Sequence, residues 1–214
     1  MHYNIVPVTA FQQNCTFVRC EKTQDAAVID PGGDVDQLLE IIKTNNYQIK
    51  KILLTHGHID HVGATAPLSR KLDVPVIGPH PEDLFWIEQV EQQSSKLGLP
   101  PVEFFTPTQW LGDDEQVTVG ELTFDVIHCP GHTPGHVVFY NKEAKWAQVG
   151  DVIFAGSIGR TDFPKGNLDH LTHSIREKLF PLGDDVKFVP GHGPMSTFGQ
   201  ERKSNPFVAD HRFG

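Results

Sequence analysis

The sequence predicts one α/β domain over residues 1–214, built on two sheets with helices on their outer faces. Three observations predict it. Apolar runs of strand period and of helix period interleave from one end of the chain to the other. No linker, short repeat or low-complexity stretch divides them. Four turns, THGHIDH (55–61), CPGHTPGH (129–136), VGD (149–151) and VPGHG (189–193), each begin where an apolar run stops.

The elements follow in order. Residues 3–8, 16–20 and 26–29 are short β-like runs. Pro31, Gly32 and Gly33 turn the chain into a helix whose apolar face is Leu38, Leu39, Ile41 and Ile42. KKILLTH (50–56) is a buried strand ending at His56. HVGATAPLSRKLD (61–73) is helical, with Val62, Ala66 and Leu72 toward the core, and PVIG (75–78) is a short strand. PEDLFWIEQVEQQSSKLG (81–98) opens on Pro81 and two acids, favourable at a helix start, and stops at Gly98. ELTFDVIHCPGH (121–132) alternates Leu122, Phe124 and Val126, a strand pattern. HVVFYN (136–141) and KWAQVGD (145–151) are two more strands. NLDHLTHSIREKLF (167–180) is an amphipathic helix capped by Asn167, with Leu168, Leu171, Ile175 and Leu179 as its stripe. VKFVPGHG (186–193) is a last strand running into a glycine-rich turn.

Composition narrows the function. With 38% hydrophobic residues a sizeable core can form, and 21% charged residues is not a disordered composition. The formal charge of −9 argues against nucleic acid or an anionic membrane as the main partner, although a small anion in a local basic pocket is compatible. No apolar run reaches the ~18 residues of a membrane span. The start lacks a basic stretch followed by an apolar one. Three cysteines, Cys15, Cys20 and Cys129, do not make a disulfide framework. The expectation is a soluble, monomeric cytoplasmic protein.

The chemistry gathers in the four turns. They offer His56, His58, Asp60, His61, His132, Asp151 and His192: five imidazoles and two carboxylates, a set that suits Zn, Fe or Mn. Any one of these histidines alone is more often a surface or hydrogen-bonded core residue. His80, His170, His173 and His211 keep that reading, His2 near the terminus is uninformative, and His128, in a strand off the motifs, reads as packing. Seven donors exceed one tetrahedral ion and suit two, with one carboxylate shared. His136, four residues after His132, is either an orienting partner in this set or a strand-start core histidine. Cys129 reads as a small apolar filler.

At this point the sequence resembles the metallo-β-lactamase superfamily, and within it the glyoxalase II-like thioester hydrolases. FQQNC (11–15), IDPGG (29–33) and PGHGPMSTFGQERKSNPF (190–207) extend the likeness over nearly the whole chain. The resemblance implies an αββα sandwich with the metals at one edge of two mixed sheets. It implies that His56, His58 and His132 hold one divalent ion and that Asp60, His61 and His192 hold a second, with Asp151 bridging. Zinc is the first choice of metal, with iron or manganese as alternatives. The activity implied is hydroxyacylglutathione hydrolysis: a metal-bound hydroxide, oriented or deprotonated by Asp60, cleaves S-D-lactoylglutathione or a related thioester, a step in methylglyoxal detoxification. Arg160, nine residues after Asp151, would bind the glutathione part, or else pair with Asp162. Two departures from the longer enzymes appear. Asp162 stands where they carry an aromatic hydroxyl, and the 22 residues after His192 are too few for their C-terminal helical domain. GRTDF (159–163) is also similar to the persulfide dioxygenases of the superfamily, in which His56, His132 and Asp151 would bind one iron. A non-catalytic metal-binding module is the remaining alternative.

Overall fold

The structure, a computed structural model, describes residues 1–213. Its first sheet holds β1 (His2–Val8), β2 (Gln13–Arg19), β3 (Asp25–Ile29), β4 (Gln48–Leu53) and β5 (Val76–Ile77), in that order. β1, β2 and β3 are antiparallel neighbours, whereas β3–β4 and β4–β5 run parallel. The parallel pairs need crossovers. These are supplied by α1 (Val35–Thr44) before β4, and by α2 (Ile59–Val62) with α3 (Thr65–Leu72) before β5.

The second sheet contains β6 (Gln116–Val119), β7 (Leu122–His128), β8 (Val137–Asn141), β9 (Trp146–Gly150), β12 (Lys187–Pro190) and β13 (Ser196–Thr197). Their spatial order is β13-β12-β9-β8-β7-β6, with β12 parallel to β9 and the other pairs antiparallel. A small hairpin of β10 (Ile153–Phe154) and β11 (Ser157–Ile158) stands outside it. Between β5 and β6 lie a 3₁₀ turn (Pro81–Asp83), α4 (Leu84–Ile87) and α5 (Val90–Leu97). α6 (Leu168–His173), which widens into π-type turns at Ser174–Leu179, precedes β12, and α7 (Phe198–Ser204) follows β13.

Strand alternation divides the core into three apolar layers. On β3, Ala27 and Ile29 face the second sheet, where they meet Val117, Phe124, Phe139 and Trp146. The intervening Ala26 and Val28 face outward and pack with Leu38 of α1 and Leu68 of α3. On the far side, Val138, Ala147 and Phe188 pack against Leu171, Ile175, Leu179 and Phe198. Helix, sheet, sheet, helix is thus the layer order, and the αββα sandwich that the resemblance implies is the fold.

Several local expectations are corrected. In the 61–73 stretch Val62 is in the core as expected, joined there by Ala64 and Leu68, while Leu72 packs half-buried against it and Ala66 is half-buried. The helix read over 81–98 is broken into the 3₁₀ turn, α4 and α5, and closes at Gly98 with φ +65°. Leu168 leaves the predicted stripe: it is 54% exposed. It sits in the first turn, next to Asn167, whose side chain accepts from His170 N at 3.0 Å, and the buried stripe begins at Leu171. β6, β13 and α7 were not anticipated.

Among the described residues no helix is long and apolar enough to cross a membrane. The three cysteines are free and buried.

Candidate metal centre

The four motif turns meet at one edge of the sandwich. THGHIDH leaves β4, with His56 and His58 in extended chain and Asp60 and His61 in the single turn of α2. His132 lies between β7 and β8, Asp151 just past β9, and His192 just past β12. Glycine makes this approach possible. A Cβ on Gly191 would fall 2.0 Å from Asp151 Oδ1 and 2.6 Å from the His61 ring. Gly150, with φ +49°, has Thr55 Oγ1 and the His136 ring within 2.7 Å of where a Cβ would stand.

The seven side chains form two groups. His56 Nε2 and His132 Nε2 stand 3.2 and 2.9 Å from His58 Nδ1. In the second group, His192 Nε2 is 3.1 Å and His61 Nε2 3.8 Å from Asp60 Oδ2. Asp151 lies between the groups. Its Oδ1 is 3.3 Å from His61 Nε2, and its Oδ2 is 3.5 Å from His132 Nε2 and 3.8 Å from His192 Nε2. Both three-residue groups have ligand atoms close enough to share one ion.

The far nitrogens explain which atoms face inward. His56 Nδ1 bonds Thr55 Oγ1 at 3.0 Å, and Thr55 Oγ1 donates to Asp30 at 2.6 Å. His61 Nδ1 donates to Asp30 Oδ2 at 2.9 Å, His132 Nδ1 to the Arg160 carbonyl at 2.8 Å and His192 Nδ1 to the Phe11 carbonyl at 3.1 Å. Each such bond engages Nδ1 and turns Nε2 toward the centre. His136 Nε2 accepts from the Asp151 amide at 3.1 Å, and its ring stacks on His56. It therefore holds the backbone of the central carboxylate, not the free nitrogen of a histidine.

The electrostatics separate the groups. Burial pushes the pKa of His58 down to about 3, helped by His132. Burial also lowers His56 and His132, so this trio is neutral and offers lone pairs. Burial would lower His61 too, but Asp151, Asp60 and Asp30 overcome it and raise the pKa. His192 is raised against burial by Asp60 and Asp151. Asp151 is lowered despite its burial, chiefly by His61. A place that favours an extra proton favours a cation. His61 Nε2 and Asp151 Oδ1 are buried with no hydrogen-bond partner, a costly state that an ion between them would relieve. The residues present fit metal ions in both groups.

Two acids that support the centre escaped the sequence reading. Asp30, in the quoted IDPGG stretch, accepts from Thr55 N at 2.7 Å as well as from His61. Asp83 reads as a helix-start acid but is fully buried. Gly57 N and Thr133 Oγ1 donate to its Oδ2 at 2.7 and 2.8 Å, and Gly135 N donates to its Oδ1 at 2.6 Å. It thereby clamps the loop of His56 and His58 to the loop of His132. Burial pushes its pKa up to about 6 against the pull of Thr133, Gly57 and Gly135, so it is an anion at neutral pH. Asp83→Asn should cost about 1.5–3 kcal/mol of stability, the range for a hydrogen bond to a charged group. It should also weaken metal binding at His56, His58 and His132 more than at the second group. Denaturant titration together with metal titration checks this; wild-type values in both would remove the clamp.

Above the centre opens a cavity of about 860 Å³. Asp60, Asp151, His58, His132 and His192 form its floor, and Phe11, Trp86, Phe154 and Phe163 are among its apolar walls. Arg160 is also on the wall. Its Nε and Nη2 each donate to Asp162 at 2.7 Å, and its guanidinium lies 4.0 Å from the Phe163 ring centroid. The expected pair with Asp162 is present, and the same side chain lines the cavity. His80 and His128 stack on each other away from the centre, with His128 Nε2 bonded to the Pro134 carbonyl.

Comparison with known proteins agrees with this geometry. The metallo-beta-lactamase superfamily profile matches residues 8–192. Hydroxyacylglutathione hydrolase GloC of Haemophilus influenzae is 44% identical over 97% of this chain and 98% of its own. The crystal structure of BLEG-1 B3 metallo-beta-lactamase superposes with a TM-score of 0.89, at 34% identity, covering 97% of this chain and 99% of that one. TTHA1623, solved in a di-iron-bound form, gives 0.88 at 37% identity, covering 96% and 100%.

Proposed function

The chain belongs to the metallo-β-lactamase superfamily, and from that premise we propose that it is a thioester hydrolase of glyoxalase II type, acting on S-D-lactoylglutathione or a close relative. The observation that carries the proposal is Asp151, with a carboxylate oxygen turned to each of two histidine-containing groups at the floor of an open cavity. The name of the Haemophilus relative supports the thioester and its glutathione carrier.

We assign His56, His58 and His132 to one divalent ion, Asp60, His61 and His192 to another, and Asp151 to both. Zinc, iron and manganese all suit these donors, and the di-iron form of TTHA1623 favours keeping iron among them. When bound, such a pair acidifies a water and polarises the substrate carbonyl. The protein's own part is to place and deprotonate. Asp60, part exposed on the cavity floor, orients the attacking water and takes its proton. The apolar walls hold the acyl group and limit access of other waters. The leaving thiolate has a conjugate acid of pKa about 8.5, so no separate general acid is needed.

The test is a thioester panel with metal analysis of the same preparation. S-D-lactoylglutathione should be hydrolysed well, and a metal-loaded protein that cleaves no thioester contradicts the proposal. Within that panel Arg160→Ala should raise KM for glutathione thioesters more than it lowers kcat, the mark of lost uniform binding. Unchanged KM with a lowered melting temperature would confine Arg160 to its pair with Asp162.

A further inference from the structure

Resting on the thioester reading, we propose that the exposed face of α5 is the recognition strip for the thiol carrier, and that Lys96 is its anion-binding end. The strip begins at the reacting centre: the Trp86 ring packs edge-on against His58, 4.4 Å between centroids. From there Gln89, Gln93 and Lys96 line the cavity at helical spacing, on one face of the helix. Gln89 Nε2 donates to the Phe85 carbonyl at 2.7 Å and Gln93 Nε2 to the Trp86 carbonyl at 3.2 Å. The amide nitrogens are thus held by the helix, and the amide oxygens remain as acceptors for a ligand N–H.

Charge completes the pattern. The carboxylates lining the cavity, Asp60 and Asp151, are both on its floor. Its two non-histidine cations are Arg160 and Lys96. Arg160 has committed one edge of its guanidinium to Asp162. Among the described residues Lys96 makes no ion pair. Lys96 is therefore the cation on this cavity's wall whose donors are left free for an anionic group.

Length matches as well. From Gln89 to Lys96 the helix advances about 10 Å. An extended arm of about three amino-acid residues covers the same distance. The strip therefore fits a peptide-like thiol arm: N–H donors along its length, a carboxylate at its end and the thioester over the metal floor. Lys96 acts on binding and contributes nothing to bond cleavage.

The experiment compares one acyl group on two carriers, glutathione and neutral N-acetylcysteamine, in wild type, Lys96→Gln and Lys96→Arg. In Lys96→Gln the ratio of kcat/KM for glutathione over the neutral carrier should fall about three- to tenfold, through KM, as expected for one partly screened charge-assisted contact. Lys96→Arg should recover most of the ratio. Raising the salt concentration should lower the ratio in wild type and leave it nearly constant in Lys96→Gln. An unchanged ratio in Lys96→Gln overturns the proposal, as does a ratio that depends equally on salt in both proteins. Failure of wild type to cleave either thioester would instead remove the hydrolase reading on which the strip depends.

Discussion

Asp60→Asn should lower kcat on thioesters by about 10²-fold or more, the size of effect expected when a positioned proton-handling group is removed. The change keeps the shape of the side chain and removes its charge. Asp60 lies on the cavity floor with Oδ2 3.1 Å from His192 Nε2. The neutral amide would neither take the proton of the attacking water nor balance the positive charge on its side of the centre. The His56, His58 and His132 group does not include Asp60, so metal should remain there. Steady-state kinetics with metal analysis of the variant measures both. A fall in kcat of less than a few-fold, with both ions bound, would take Asp60 out of the chemistry.

His132→Ala and His192→Ala should empty different places. Removing a direct imidazole donor should weaken its own ion by more than the about 10–100-fold typical of losing an outer-shell partner. His132 stands with His56 and His58, and its Nδ1 is already held by the Arg160 carbonyl. His192 stands with Asp60 and His61. After dialysis each variant should therefore retain mainly one ion, in the complementary group. Because Asp151 faces both groups, it stays available to the ion that remains. Equal loss of both ions from either variant would mean one shared site in place of two. Catalysis should drop in both, since water activation and carbonyl polarisation are divided between the groups.

The layers of this fold were legible because period two and period 3.6 are written in long apolar runs. Val126 and Phe124 alternate on β7 as their spacing requires, and Leu171, Ile175 and Leu179 recur every fourth residue. What escaped notice lacked such a run. β6 is four residues with polar neighbours, and the exposed side of α7 is Gln200, Arg202 and Lys203, with Phe198 as its buried anchor. Leu168 misled because spacing alone does not say that the first turn of a helix projects into solvent.

The seven donor side chains were legible for a different reason. Histidine and aspartate are dense there, and glycine beside them marks close approach, as Gly191 does against Asp151. Asp83 carried no such mark. Its partners Gly57, Thr133 and Gly135 lie 26 to 52 residues away, so its role exists only after the two loops are brought together. The same holds for His136 and the Asp151 amide, fifteen residues apart. Arg160 shows the converse: Asp162, two residues on, was a partner readable from the sequence, and the folded loop makes that pair at the cavity wall.

The central claim is that the centre hydrolyses a thioester. The most direct measurement follows thiol, acid and dissolved oxygen together in one metal-loaded sample, first with S-D-lactoylglutathione and then with glutathione persulfide. Hydrolysis predicts thiol and acid released one to one from the thioester, with oxygen constant throughout. Oxygen consumed in step with the persulfide, while the thioester is left intact, would contradict it and assign His56, His132 and Asp151 to a single oxygen-activating iron.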